Sequence, residues 1–318
     1  MLPRRHVPLL RAKLEALLRT YGAAFLGSDP LGMAHPYPHD EDREAAAFFA
    51  ASLAFGNAAA IRGSLSRILG RLGEHPAGRL RAFDFQRDAV LFGGLYHRWA
   101  GPAALAALAH LTGAALREAG SLGALFLENY DPAAPDLTGA LAAFRRRLLG
   151  LGKDLPKKGL GGIGCLLPDP EGPSACKRLH LFLRWTVRPA DGLDLGLWKG
   201  PRPDQLLIPL DTHVARIGRL LGLTDRRTPG RKMAGEVTAS LRLLDPADPV
   251  RYDFALSRLG ILGRCPSRRD VRLCAGCPLQ DACRYWRRVP AGRKEAAREQ
   301  ARGSGHLAAS LPDMTESL

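Results

Sequence analysis

The chain has 318 residues, 46% of them hydrophobic and 7% aromatic, which is enough apolar length to bury a sizeable core and excludes a disordered segment or a mini-protein. With 46 Lys and Arg against 31 acids the formal charge is +15, a balance that draws polyanions or merely reflects an arginine-favouring genome. No apolar run reaches the roughly eighteen residues that span a bilayer, the N-terminus has no secretory pattern, and six cysteines with four clustered predict a cytoplasmic metal site rather than disulfides.

Abundant Ala and Leu with few β-branched runs predict an all-α chain. Leu10, Leu14, Leu17, Leu18 and Tyr21 recur at helical spacing and predict a first helix ending near Gly22. A Pro-, His- and acid-rich loop follows, in which His35 and His39 are either metal ligands or solvated, and Asp40 or Asp42 caps the next helix. Helices are predicted over Glu44–Leu53 and Ala58–Leu72, broken by Phe55, Gly56 and Asn57, which form either a buried turn or a loop that faces an extruded base. Arg79–Val90 has helical spacing, and Tyr96, His97, Arg98 and Trp99 make an aromatic and basic knot that either stacks or tucks into the core. Pro102–Ala119 reads as a helix, Ser121 caps another, and Asp136 caps a third with Leu137, Leu141, Phe144 and Leu148 inward and Arg145, Arg146 and Arg147 outward. Gly150–Gly164 is glycine-rich and carries Lys153, Lys157 and Lys158, a weak phosphate signal that lacks the ending of a nucleotide P-loop.

The chemistry concentrates after Gly172. A helix is predicted from Pro173 and Ser174 onward, placing Lys177 in its first turn, where the helix dipole and Arg178 disfavour its protonated form. Lys177 is then a nucleophile, a phosphate contact or an exposed lysine. Leu206–Leu210 reads as extended, and Asp211 stands before the helix Thr212–Leu221 as an N-cap. Cys265, Cys274, Cys277 and Cys283 give C-x8-C-x2-C-x5-C, a spacing that suits a [4Fe-4S] cluster, with zinc the alternative.

LLIPLDTHVARIGRLLGL, followed by DPVRYDFALSRLGILGRCPSRRDVRLCAGCPLQDACRYW, resembles the helix-hairpin-helix DNA glycosylases of the endonuclease III type. SACKRLHLFLRWTVR, DLGLW and LIPLDTHV are more similar to a bacterial group named domain of unknown function 2400. The resemblance covers Gly161–Trp286, and ASLAFGNAAAI looks like the superfamily's early helix-loop-helix that faces DNA. It implies a two-lobed helical fold with a C-terminal iron–sulfur loop. It also implies that Asp211 stabilises positive charge on the sugar while Lys177 attacks C1′ to form a Schiff base. The four cysteines match the cluster ligands, with Arg268, Arg269 and Arg272 on the loop between the first two. Phe55, Asn57, Ser174, Arg178, Arg184 and His213 complete the expected DNA-binding set.

Two departures stand out. The hairpin segment LLPDPEGPSACK has one glycine, Gly172, where the family turn has two, and Lys177 and Asp211 are 34 positions apart because residues 188–205 are inserted. Trp198 in that insertion either stacks on substrate or covers an edge. The expected organisation is residues 1–40 as an N-terminal helix packing with the C-terminal lobe, 41–186 as a helical lobe, 187–205 as the insertion, 206–288 as the Asp-helix and cluster lobe, and 289–318 as a disordered tail. The expected function is a monomeric DNA glycosylase and abasic-site lyase acting on double-stranded DNA. The alternatives are a non-catalytic iron–sulfur DNA-binding protein and a monofunctional glycosylase.

Overall fold

A computed structural model describes residues 2–156 and 162–287; Lys157, Lys158 and the tail 289–318 lie outside the described residues. The described chain is mostly helical with no strand, only an isolated bridge between His97 and Ala100. Among these residues no helix is long and apolar enough to cross a membrane.

Helix α1 (Val7–Thr20) buries Leu10, Leu14 and Leu17 and packs against a helix near the other end of the chain, α13 (Asp253–Ile261). Polar ties reinforce this closure: the Tyr252 hydroxyl donates to Glu15 at 3.0 Å, and Lys13 donates to Asp281 at 3.0 Å.

Helix α2 (Asp40–Ser52) is buried over most of its length, with Ala45 to Ala51 and both Phe48 and Phe49 shielded. Its alanines let neighbours approach closely, and it lies against α4 (Pro76–Arg81) and α10 (Lys177–Val187). Neither Asp40 nor Asp42 caps it. Asp40 is its first residue, and Asp42 turns inward to accept the Ala77 amide at 2.8 Å, so it serves the start of α4.

The single helical run expected over residues 79–90 is split. Helix α4 ends at Arg81, Asp84 accepts the Arg87 amide, and α5 spans only Phe85–Asp88. Between them the Asp84 cap outcompetes continuation of the helix. Helix α3 (Ala58–Leu72) is capped by Asn57, and α6 spans Pro102–Ala119 as its apolar spacing predicts. A β-carbon at Gly113 would stand 2.0 Å from the Leu80 carbonyl oxygen, so that glycine sets the closeness of α4 and α6.

Ser121 caps α7 (Leu122–Leu127), and α8 (Thr138–Gly150) starts just beyond Asp136, whose side chain accepts the Thr138 amide. A short α9 (Ile163–Leu166) leads through a turn into α10. That helix begins at Lys177 rather than at Pro173 or Ser174, because Cys176 adopts a left-handed conformation at φ 44° and interrupts the path. The chain then runs through α11 (Thr212–Leu221), α12 (Arg231–Arg242), α13 and α14 (Val271–Ala275). A β-carbon at Gly260 of α13 would stand 2.5 Å from the His213 β-carbon, which fixes the close crossing with α11. The buried side chains form one continuous cluster from Leu2 to Ala282, with Cys274 and Trp286 a small satellite.

Candidate functional site

Lys177 opens α10 and Asp211 stands immediately before α11. Folding brings the Lys177 Nζ to 3.9 Å from the Asp211 Oδ2. The other carboxylate oxygen of Asp211 accepts the Val214 amide at 2.7 Å, so the residue is both the cap of α11 and the partner of the lysine. The Lys177 amine also donates to the Ala54 carbonyl at 3.3 Å, which ties it to the junction between α2 and α3. Both side chains are partly exposed, the lysine the more so.

Behind this pair stands a buried ionic chain. Arg184, on the same helix as Lys177, is 2% exposed and gives its guanidinium to Asp194 at 2.9 Å and to Asp253 at 2.7 Å. Arg188 pairs with Asp194 and, at 2.8 Å, with Asp248. Arg184 was expected on DNA, and the structure corrects this: its charge is spent internally, in fastening the 187–205 segment to α13. Burial pushes the Asp253 carboxyl up from 3.8 to about 6, Arg184 opposes the rise, and the neighbouring Asp211 charge adds to it. One oxygen of Asp253 is buried without a hydrogen-bond partner.

Trp198 is likewise no stacking residue. It is buried between Phe126 and Phe182, and its indole donates to the Glu44 carboxylate at 2.6 Å. The inserted segment therefore covers an edge of the core.

On the other side of Lys177, Phe55 stacks on Trp99 with ring centroids 4.5 Å apart and planes 9° from parallel. The Arg178 guanidinium lies 5.0 Å from the Phe55 ring and 5.6 Å from the Trp99 ring. Asn57 is exposed but its carboxamide oxygen is committed to the Ala60 amide at 2.7 Å. Ser174 is exposed and accepts the Cys176 amide, while His213 is half-buried against Gly260. Phe55, Lys177, Arg178 and Asp211 are thus brought together.

Arg268, Arg269 and Arg272 are exposed on the cysteine loop, with Arg269 lying 4.6 Å over the Trp286 ring. Cys265, Cys274, Cys277 and Cys283 line one cavity together with Leu220, Leu259 and Leu279. Burial raises the thiols of Cys265, Cys277 and Cys283, that of Cys277 to about 11, and the neighbouring sulfurs add to the rise. Four sulfurs around one largely apolar cavity are a donor set that suits a cluster or zinc. As placed, however, no group of three or more His, Cys, Asp or Glu side chains among the described residues is arranged to hold a metal ion. His35 is occupied otherwise, its ring donating to the Leu193 carbonyl at 2.9 Å.

Sequence reasoning missed Asp253 and Asp194, because nothing local in the sequence marks either as a partner of Arg184. Trp99 was visible in the aromatic and basic knot, but nothing in the sequence joined that knot to Phe55. Compared with known families, residues 29–262 match the family described as protein of unknown function (DUF2400). The matched span includes Phe55, Lys177, Asp211 and Asp253 and ends before Cys265. Searches of curated proteins and of solved structures find no match.

Proposed function

The chain belongs to the DUF2400 family, and within it we propose a DNA glycosylase that also cleaves abasic sites, acting on double-stranded DNA in base excision repair. The observation that carries this reading is the approach of the Lys177 Nζ to 3.9 Å from the Asp211 Oδ2 at a partly exposed position between two helix starts. The formal charge of +15 and the resemblance of the Asp211 and cysteine motifs to endonuclease III-type enzymes support it.

Breaking an N-glycosidic bond builds positive charge on the sugar, and the Asp211 carboxylate stabilises that charge. The unprotonated Lys177 amine gives its lone pair to C1′ while the electron pair of the C1′–N bond leaves with the base. The amine's proton passes to Asp211 and on to the departing base. The remaining amine proton passes to O4′ as the C1′–O4′ bond opens to an imine, water takes a C2′ proton whose electron pair forms the C2′–C3′ double bond as the 3′ phosphate leaves, and water hydrolyses the imine to return the amine. Cys265, Cys274, Cys277 and Cys283 would hold a [4Fe-4S] cluster or zinc, which would brace the loop bearing Arg268, Arg269 and Arg272 and take no part in these steps.

The hydrogen bond from Lys177 to the Ala54 carbonyl favours a second reading, in which the lysine stays protonated and water displaces the base. Borohydride separates the two. A panel of duplexes with single lesions, incubated with the full chain and borohydride, is expected to yield a covalent adduct that Lys177→Ala abolishes. Base release without nicking or adduct selects the second reading, and an adduct that survives Lys177→Ala overturns the first.

A further inference from the structure

The indole of Trp99 stacks on Phe55 and stays exposed where the other indoles are buried. Of the four tryptophans, Trp185, Trp198 and Trp286 are 2%, 6% and 1% exposed, whereas Trp99 is 48% exposed although Phe55 covers one of its faces. Its surroundings are tied together. The ring of His97 is buried and bonded at both nitrogens, its Nε2 donating to the Phe55 carbonyl at 2.8 Å and its Nδ1 accepting from the Ser64 hydroxyl at 3.1 Å. That carbonyl is an acceptor only, so Nε2 carries a proton, and burial pushes the imidazole down from its ordinary value. The same ring packs edge-on against Phe55 at 4.6 Å. Phe55 is therefore held through backbone and ring alike, and Trp99 is laid on a fixed support.

The support adjoins the Lys177–Asp211 pair, because the residue before Phe55 is Ala54, whose carbonyl accepts the Lys177 amine. Cations ring it. Arg178 lies against both aromatic rings, and Arg98 is exposed with no ion-pair partner among the described residues. Arg98 is held at φ 54° and packs its side chain across Gly56. A flat, half-exposed π-surface edged by unpaired positive charge fits an unpaired nucleobase with its phosphate, since every base offers a π-face and backbone phosphates supply the counter-charge.

We propose that the open side of Trp99 is a stacking seat for an unpaired nucleobase of a DNA strand, with Arg98 beside the flanking phosphate. This rests on the reading of DNA as partner but not on any chemistry at Lys177.

The test uses the full chain and two duplexes, one fully paired and one carrying a single bulged 2-aminopurine. Trp99 dominates acrylamide quenching because the other three indoles are buried. The bulged duplex is expected to shield the emission and to lose 2-aminopurine fluorescence, while the paired duplex leaves the indole open to acrylamide. Trp99→Leu, which keeps apolar bulk without an aromatic face, is expected to weaken the bulged duplex about 5- to 150-fold. Trp99→Phe, retaining a π-face, restores most of that affinity and guards against a folding artefact. Wild-type affinity in Trp99→Leu, or acrylamide quenching that the bulged duplex leaves unchanged, overturns the seat. The two readings fail separately: loss of bulge binding in Trp99→Leu with neither base release nor a borohydride adduct on any lesion sinks the glycosylase and leaves the seat. A normal adduct and normal bulge binding in Trp99→Leu sink the seat alone.

Discussion

The two oxygens of Asp211 face different partners, the Val214 amide at 2.7 Å and the Lys177 amine at 3.9 Å, so charge and cap are separable by substitution. Asparagine caps a helix about as well as aspartate but carries no charge. Asp211→Asn is therefore expected to leave thermal stability within about 0.5 kcal/mol of wild type while base release falls at least tenfold. Asp211→Ala also loses the cap, at about 1 kcal/mol. Equal stability loss in the two variants would show that the cap plays no part. Asp253 gives a pH-dependent counterpart. Burial raises its carboxyl from 3.8 to about 6, so the folded chain favours the protonated acid more than the unfolded chain does. That contribution to stability is fully present below about pH 3.8 and is lost as pH rises through about 6. Relative to Asp253→Asn, the wild-type chain should lose up to about 3 kcal/mol between pH 3.5 and pH 7. Urea melts of both chains across that range read the difference, and a constant gap would show that Asp253 titrates as an ordinary acid.

Between elements, the decisive contacts are those the sequence cannot bring together. Apolar periodicity made α6 legible to its ends, and polar caps made the starts of α7 and α11 legible, because those signals are local. The start of α10 was not, since the left-handed turn that delays it falls on Cys176 and not on a glycine, the residue that would have signalled it. Lys177 and Asp211 were legible only as motif residues, and their approach required the intervening insertion to fold back. That fold is written in long-range pairs: the Leu195 amide reaches the Trp185 carbonyl at 2.8 Å, the Trp198 amide reaches the Thr186 carbonyl at 2.9 Å, and the Trp198 indole reaches Glu44. Glu44 also accepts the Leu122 and Gly123 amides, each at 2.8 Å, so one buried carboxylate joins α2, the start of α7 and the insertion. Trp198→Phe keeps most of the apolar volume and removes one donor from that carboxylate. It should destabilise the chain by about 1–3 kcal/mol, seen as a lower urea midpoint with an unchanged slope. A midpoint equal to wild type would show that the indole's bond to Glu44 contributes nothing to stability.

Over the whole molecule, the question is whether the +15 charge is a diffuse consequence of composition or a surface built for a polyanion. Much of the exposed arginine is neutralised locally: Arg81 by Glu41 at 2.6 Å, Arg202 by Asp204 at 3.0 Å and Arg226 by Glu236 at 2.6 Å. Arg98, Arg268 and Arg272 are exposed with no ion-pair partner among the described residues, the last two on the cysteine loop. A field gathered at such places releases condensed counterions from a duplex, and each neutralised phosphate adds about −0.9 to the slope of log affinity against log salt. Replacing both Arg268 and Arg272 by Ala should therefore make the slope shallower by about 2. Arg226→Ala, whose guanidinium is already paired with Glu236, should change the slope by much less. Fluorescence anisotropy of a labelled duplex between 50 and 200 mM salt supplies both slopes. If the paired arginine matters as much as the two unpaired ones, the positive charge acts as a uniform cloud, and the cysteine loop loses its standing as the surface that grips the strand.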